Sequence, residues 1–169
     1  MFGDLEKARI IAYSAAFIGL ISLGAWVSIP FFPVPLTLQT LFVLLAGAVM
    51  KRYAVIPVSL YVLLGALGLP VYHTGVTGIG ILLGPTGGYL IGFIFATLAV
   101  GIAYEYKSET IRITGLITGT IIIYIFGVGW LMYSMAMGFV PSVISGVLPF
   151  IPGDAIKLYA TYRIAQRLT

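Results

Sequence analysis

The chain contains no cysteine, which excludes disulfide frameworks, thiolate zinc sites, iron–sulfur clusters and cysteine nucleophiles. Charge is nearly as scarce: nine Lys and Arg with five Asp and Glu make up 8% of 169 residues, where a soluble domain carries about a quarter. At 60% apolar content and a mean hydropathy of +1.11, too few polar side chains remain to cover a soluble exterior. The soluble globular and disordered classes therefore fall away. No Gly-Lys dipeptide occurs, so there is no Walker A loop and no ATP hydrolysis by that route. The net charge of +4 does not point to nucleic acid, because nine scattered basic residues do not form a phosphate-tracking stripe. It reads instead as membrane topology.

What is present is apolar sequence in long runs. The 14 charges fall in five clusters: Asp4 to Arg9, Lys51–Arg52, Glu105 to Arg112, Asp154 with Lys157, and Arg163 with Arg167. They leave uncharged stretches at 10–50, 53–104 and 113–153. A membrane-spanning helix needs about 20 apolar residues, so each of the first two stretches fits a span out and a span back. In the third, 113–132 is a good span, but Pro141, Gly146, Pro149 and Pro152 break 138–152. The return must begin near Pro152. The reading is an all-α, polytopic membrane protein, a single domain of six transmembrane helices at about 7–28, 36–50, 53–69, 85–104, 113–132 and 152–168. A Gly-rich outer loop separates the third and fourth, and 138–152 is a broken loop. The residue before proline is pushed out of the helical region, which stops the first helix before Pro30. Eight basic residues then fall on one side and only Lys157 on the other, so both termini are expected in the cytoplasm. The first apolar run is too long for the core of a secretory signal.

Polar residues away from the cytoplasmic ends are the functional candidates. Asp154 and Lys157 are three apart at the start of the sixth helix, so they share a face. One reading is a helix cap, with Asp154 on backbone N–H groups and Lys157 snorkelling or pairing with it. The other is a carboxylate acceptor and an ammonium donor side by side, matching a neutral ligand with adjacent N–H and C=O groups. Gln39 and Thr37, the loop residues Tyr72, His73, Gly75 and Gly78, and Thr86 and Tyr89 lie on the same outer side. The glycines permit close backbone approach and a loop that changes shape. A metal site is not expected at His73, because such a site needs several partners. Ala8, Ala12 and Ala16 form a stripe of small residues suited to close helix packing, within the bundle or against another protein.

Three segments, Pro30-Phe31-Phe32-Pro33-Val34-Pro35-Leu36-Thr37-Leu38-Gln39-Thr40, Gly84-Pro85-Thr86-Gly87-Gly88-Tyr89-Leu90 and Gly146 to Lys157 with its Pro152-Gly153-Asp154-x-x-Lys157 motif, together resemble the BioY family. These are the biotin-specific S components of energy-coupling factor (ECF) transporters. The resemblance is collinear over nearly the whole chain. It implies a non-enzymatic transport subunit of the prokaryotic cell membrane, with no cofactor and no metal. Such a subunit captures biotin at the outer face and docks to a transmembrane coupling subunit that carries two cytoplasmic ATPases. It also implies ligand contacts from Asp154 and Lys157, from Tyr89, Thr86 and Gln39, and from the loop residues Tyr72, Gly75 and Gly78, with Ala8, Ala12 and Ala16 as the docking stripe. In the loop the chain departs from the family's more glycine-dense pattern, reading Tyr72-His73-Thr74-Gly75-Val76-Thr77-Gly78. An S component for another small vitamin, a small intramembrane enzyme and a pore-forming oligomer are the competing readings. The last would need a continuous polar stripe along one helix, and none is visible.

Overall fold

The computed structural model describes residues 2–168, with side chains from Asp4 onward. Among them the chain forms helices α1 (Phe2–Trp26), α2 (Gln39–Met50), α3 (Val55–Ala66), α4 (Ile79–Leu83), α5 (Gly87–Ala103), α6 (Glu109–Ser134), α7 (Phe139–Gly146) and α8 (Ile151–Leu168). The proline-rich segment after α1 is a small hairpin, in which β1 (Ser28–Ile29) pairs antiparallel with β2 (Leu36–Thr37).

The reversals follow from local chemistry. Lys51 adopts a positive φ of 56° and opens a 3-10 turn, Lys51–Ala54, between α2 and α3. The turn folds the two helices back on each other, because Gln39 at the start of α2 hydrogen-bonds Tyr61 near the end of α3. In one straight helix those residues would stand about 33 Å apart. At the end of α3, Gly68 (φ 108°) donates to the Gly65 carbonyl and Leu69 to the Leu64 carbonyl. This is a Schellman-type stop that requires the left-handed residue. Ser108 caps α6 by accepting from the Ile111 N–H, which starts that helix at Glu109, ahead of the expected 113.

Packing is tightest between α5 and α6. A methyl group at Gly88 would overlap Trp130 and the Phe126 carbonyl, and one at Gly115 would overlap Ala103. Such approach through small residues holds helices together where lipid removes the hydrophobic drive between them. The centre of the bundle is apolar, with Val43, Leu44, Val100, Leu116 and Ile123 buried, and the outside is apolar too, with Leu63, Phe95, Ile121, Ile125 and Ile156 exposed. Exposed apolar surface on that scale is a liability in water and suits acyl chains. The chain is an integral membrane protein.

Several boundaries differ from expectation. Helices α2 and α3 are shorter than 36–50 and 53–69, since β2 and the 3-10 turn take their ends. Segment 138–152, expected as a broken loop, contains the short helix α7. Pro141 is accommodated there because it lies in the first turn, where no intrahelical N–H is needed. Helix α7 meets α8 at a bend of 54°. The Gly-rich loop likewise holds a 3-10 turn, His73–Gly75, and α4.

Most of the charge collects at one end of the bundle. Arg52 grips Glu105 through two contacts of 2.6 Å, Lys51 lies against Gly101, and Arg112 sits over Tyr104. The loops 27–38, 67–86 and 135–150 lie toward the other end, around the first turns of α2, α5 and α8.

Candidate ligand-binding site

The two charged residues of the α8 motif meet, as their spacing predicts. Lys157 Nζ donates to Asp154 Oδ1 at 2.8 Å and to Thr40 Oγ1 at 3.0 Å, and Thr40 in turn donates to Asp154 Oδ1 at 3.2 Å. Tyr124, midway along α6, donates its hydroxyl to Asp154 Oδ2 at 2.6 Å. The side chains of Asp154 and Lys157 are only 7% and 13% exposed. A buried ion pair persists only when its remaining polar atoms are satisfied. Three helices supply that satisfaction, so the carboxylate is held by side chains from α2, α6 and α8 rather than serving as a simple helix cap.

The cluster forms one wall of a cavity that is open at its mouth, a concave and mostly apolar setting of the kind small molecules occupy. The rest of the wall consists of Val34, Pro35, Thr37 and Gln39 from the hairpin and α2, Tyr72 and His73 from the Gly-rich loop, Thr86, Tyr89, Leu90 and Phe93 around α5, Ile123 of α6, and Phe150. Tyr89 stacks against Phe150 at 27° between planes and donates its hydroxyl to the Gly146 carbonyl at 2.7 Å. It therefore offers the cavity an aromatic face and no free hydroxyl. Tyr72 is 1% exposed, donates to the Val62 carbonyl at 2.6 Å and packs edge-on against Tyr61. Glycines make room for both rings, because a methyl group at Gly65 would overlap Tyr72 and one at Gly127 would overlap Tyr89.

Of the residues expected at the site, Asp154, Lys157, Tyr89, Thr86, Gln39 and Tyr72 line this cavity, and Gly75 and Gly78 do not. Those two glycines take φ values of 75° and 95° with open space around them. Those values bend the loop in a way that glycine accommodates without strain. Ala8, Ala12 and Ala16 lie far along α1 on its exposed side, away from the cavity. Thr40 and Tyr124 were missed as ligands of Asp154. Tyr124 carried a signal nonetheless, as a hydroxyl deep in an apolar span.

The hydrogen-bond inventory defines what the cavity can hold. An ionised carboxylate offers about four acceptor positions, and Asp154 uses three among the described residues. Lys157 uses two of its three N–H donors. One acceptor and one donor thus remain side by side, next to an aromatic wall. An acceptor beside a donor at an aromatic wall is complementary to a small, partly apolar molecule with adjacent N–H and C=O groups.

A helical bundle in the membrane with such a cavity near one end is a solute-binding membrane protein. The BioY family model matches residues 3–169, and the chain belongs to the BioY family. It is 40% identical over 163 residues to the probable biotin transporter BioY of Pyrococcus horikoshii, covering 96% of this chain and 97% of that one. It is 41% identical over 162 residues to the biotin transporter BioY of Thermotoga maritima, covering 95% of each. Its fold is similar to the crystal structure of the S-component for biotin from an ECF-type ABC transporter. There the TM-score is 0.86 at 31% identity, covering 96% of this chain and 92% of that one. Membership places the chain among transport subunits rather than enzymes.

Proposed function

We propose that this protein captures biotin at the outer face of the prokaryotic cell membrane and delivers it inward as the substrate-binding component of an ATP-driven ECF transporter. The observation that carries the reading is the free acceptor on Asp154 beside the free donor on Lys157, at the edge of an aromatic cavity. A ureido ring presents N–H donors flanking a carbonyl, so an N–H meets Asp154 and the oxygen meets Lys157. The fused apolar ring packs on the faces of Tyr89 and Phe150. In this reading the chain crosses the bilayer six times, with both termini and eight of the nine basic residues in the cytoplasm, in keeping with the positive-inside bias. That orientation turns the cavity outward. Isothermal titration of the purified protein tests the assignment: Asp154→Ala and Lys157→Ala each lower biotin affinity by about a hundredfold, since each removes a charged hydrogen-bond partner of the ligand, a loss of about 2–5 kcal/mol in binding. Unchanged binding in both variants, or tighter binding of another vitamin by the wild type, overturns it.

Delivery requires the partner. The exposed stripe of Ala8, Ala12 and Ala16 fits close docking of a transmembrane coupling subunit, against which the whole bundle tips as partner ATPases turn over. Tryptophan at Ala12 and Ala16 blocks coupled uptake and leaves biotin binding intact. Normal uptake by that double variant refutes the docking surface.

A further inference from the structure

We propose that His73 is a ligand-contacting residue of this cavity, receiving the anionic end of the bound molecule and becoming protonated as it does so. The inference rests on the biotin reading above, which supplies a ligand with a neutral head and a carboxylate tail.

The cavity wall has few donors to offer an anion. The hydroxyls of Thr37, Thr40, Thr86, Tyr72, Tyr89 and Tyr124 all donate to protein acceptors. Lys157 has one N–H left, but its charge is neutralised by Asp154 at 2.8 Å, and an anion placed there would face that carboxylate as well. Gln39 has one amide N–H left and no charge, the other being held by Tyr61. His73 lines the same cavity, and its imidazole makes no hydrogen bond with any of the described residues. Of the wall's side chains it alone can add a positive charge that no protein group already balances.

The residue is also held in place. Its 3-10 turn is closed by Gly75 N–H donating to the Tyr72 carbonyl and Val76 N–H to the His73 carbonyl, and the adjoining Tyr72 is locked into the bundle. Partial burial pushes the imidazole below its ordinary range, toward the neutral form. A carboxylate beside it reverses that bias, and the proton comes from solvent. Other titratable groups on the cavity wall are Asp154 and Lys157 of α8, Tyr124 of α6, Tyr89 of α5 and Tyr72 of the same loop. The outer end of α1, which packs on this turn, and all of α4 carry no titratable residue. A histidine is the side chain that ordinarily changes charge between pH 5 and 8.

The test titrates the full-length protein in detergent with biotin and with its primary amide, which has nearly the same shape and no charge, at pH 7.5 and pH 5.5. Biotin is expected to bind at least about fivefold more tightly at the lower pH, because protonation and anion binding are linked, while the amide shows no change. In His73→Gln the biotin advantage at low pH disappears, and a thermal midpoint without ligand equal to that of the wild type reports an intact fold. Biotin affinity equal at both pH values, or a pH effect that survives in His73→Gln, overturns the assignment and leaves the biotin reading standing. A Lys157→Ala variant that weakens biotin but spares the amide moves the carboxylate to Lys157 and also overturns it. Failure of both ligands to bind the wild type overturns this inference together with the reading beneath it.

Discussion

Two acid–base pairs stand at opposite ends of this bundle, and the one with the better geometry contributes less. Arg52 and Glu105 make a two-pronged contact at 2.6 Å, yet their side chains are 63% and 26% exposed. Asp154 and Lys157 meet through a single contact of 2.8 Å at 7% and 13% exposure. Water and salt screen the first pair, and exposed pairs of this kind contribute little. The second pair has lost its water, so each charge depends on the other and on Thr40 and Tyr124. Surroundings, rather than contact length, decide which pair can act as a ligand site.

Removing one charge at each end separates the two pairs by the largest effect. Asp154→Ala is expected to lower biotin affinity by about a hundredfold, whereas Glu105→Ala leaves it unchanged in the same titration. Similar losses from both would mean that the protein responds to its net charge rather than to a local cluster. A smaller effect is expected from Tyr124→Phe, which keeps the ring and removes one hydrogen bond to the carboxylate. Bonds to charged groups contribute about 1.5–3 kcal/mol, so affinity should fall by about tenfold or somewhat more. An unchanged affinity would show that Asp154 is adequately held without α6.

How far this site was legible in the sequence depends on whether its parts are neighbours along the chain. The Asp154–Lys157 contact was readable because helical spacing alone brings residues three apart together. The segregation of eight basic residues was readable because charge is excluded from the bilayer core wherever it falls. Thr40 and Tyr124 were not identified as partners of Asp154, since their meeting depends on how α2, α6 and α8 pack, and no local period encodes that. Gly75 and Gly78 were expected at the ligand for their permissive backbone; both do take positive φ, but the cavity wall is made by other residues of the loop. Helix α7 was hidden by Pro141, which reads as a breaker until its first-turn position is known. Gly65 and Gly127 show the same limit, because only the fold reveals that each makes room for a tyrosine from another segment.

The smallest expected effect lies at the exposed pair and concerns stability rather than binding. The hydrogen bond from Arg52 holds the Glu105 carboxyl below its ordinary value of 4.5, and Arg52 is raised in turn by the same bond. A carboxyl with a lowered pKa in the folded state binds fewer protons than in the unfolded chain, so its contribution is present above the ordinary value and is lost as pH falls through the folded one. Thermal midpoints of the wild type and Glu105→Gln should therefore differ slightly near neutral pH and converge in acid. At about 1 M salt, where the screening length is about 3 Å, the neutral-pH difference should shrink markedly. A difference that grew in acid, or that persisted undiminished at high salt, would mean that Glu105 is held by something other than its exposed partner, and the contrast between the two ends of the bundle would fail at its weaker side.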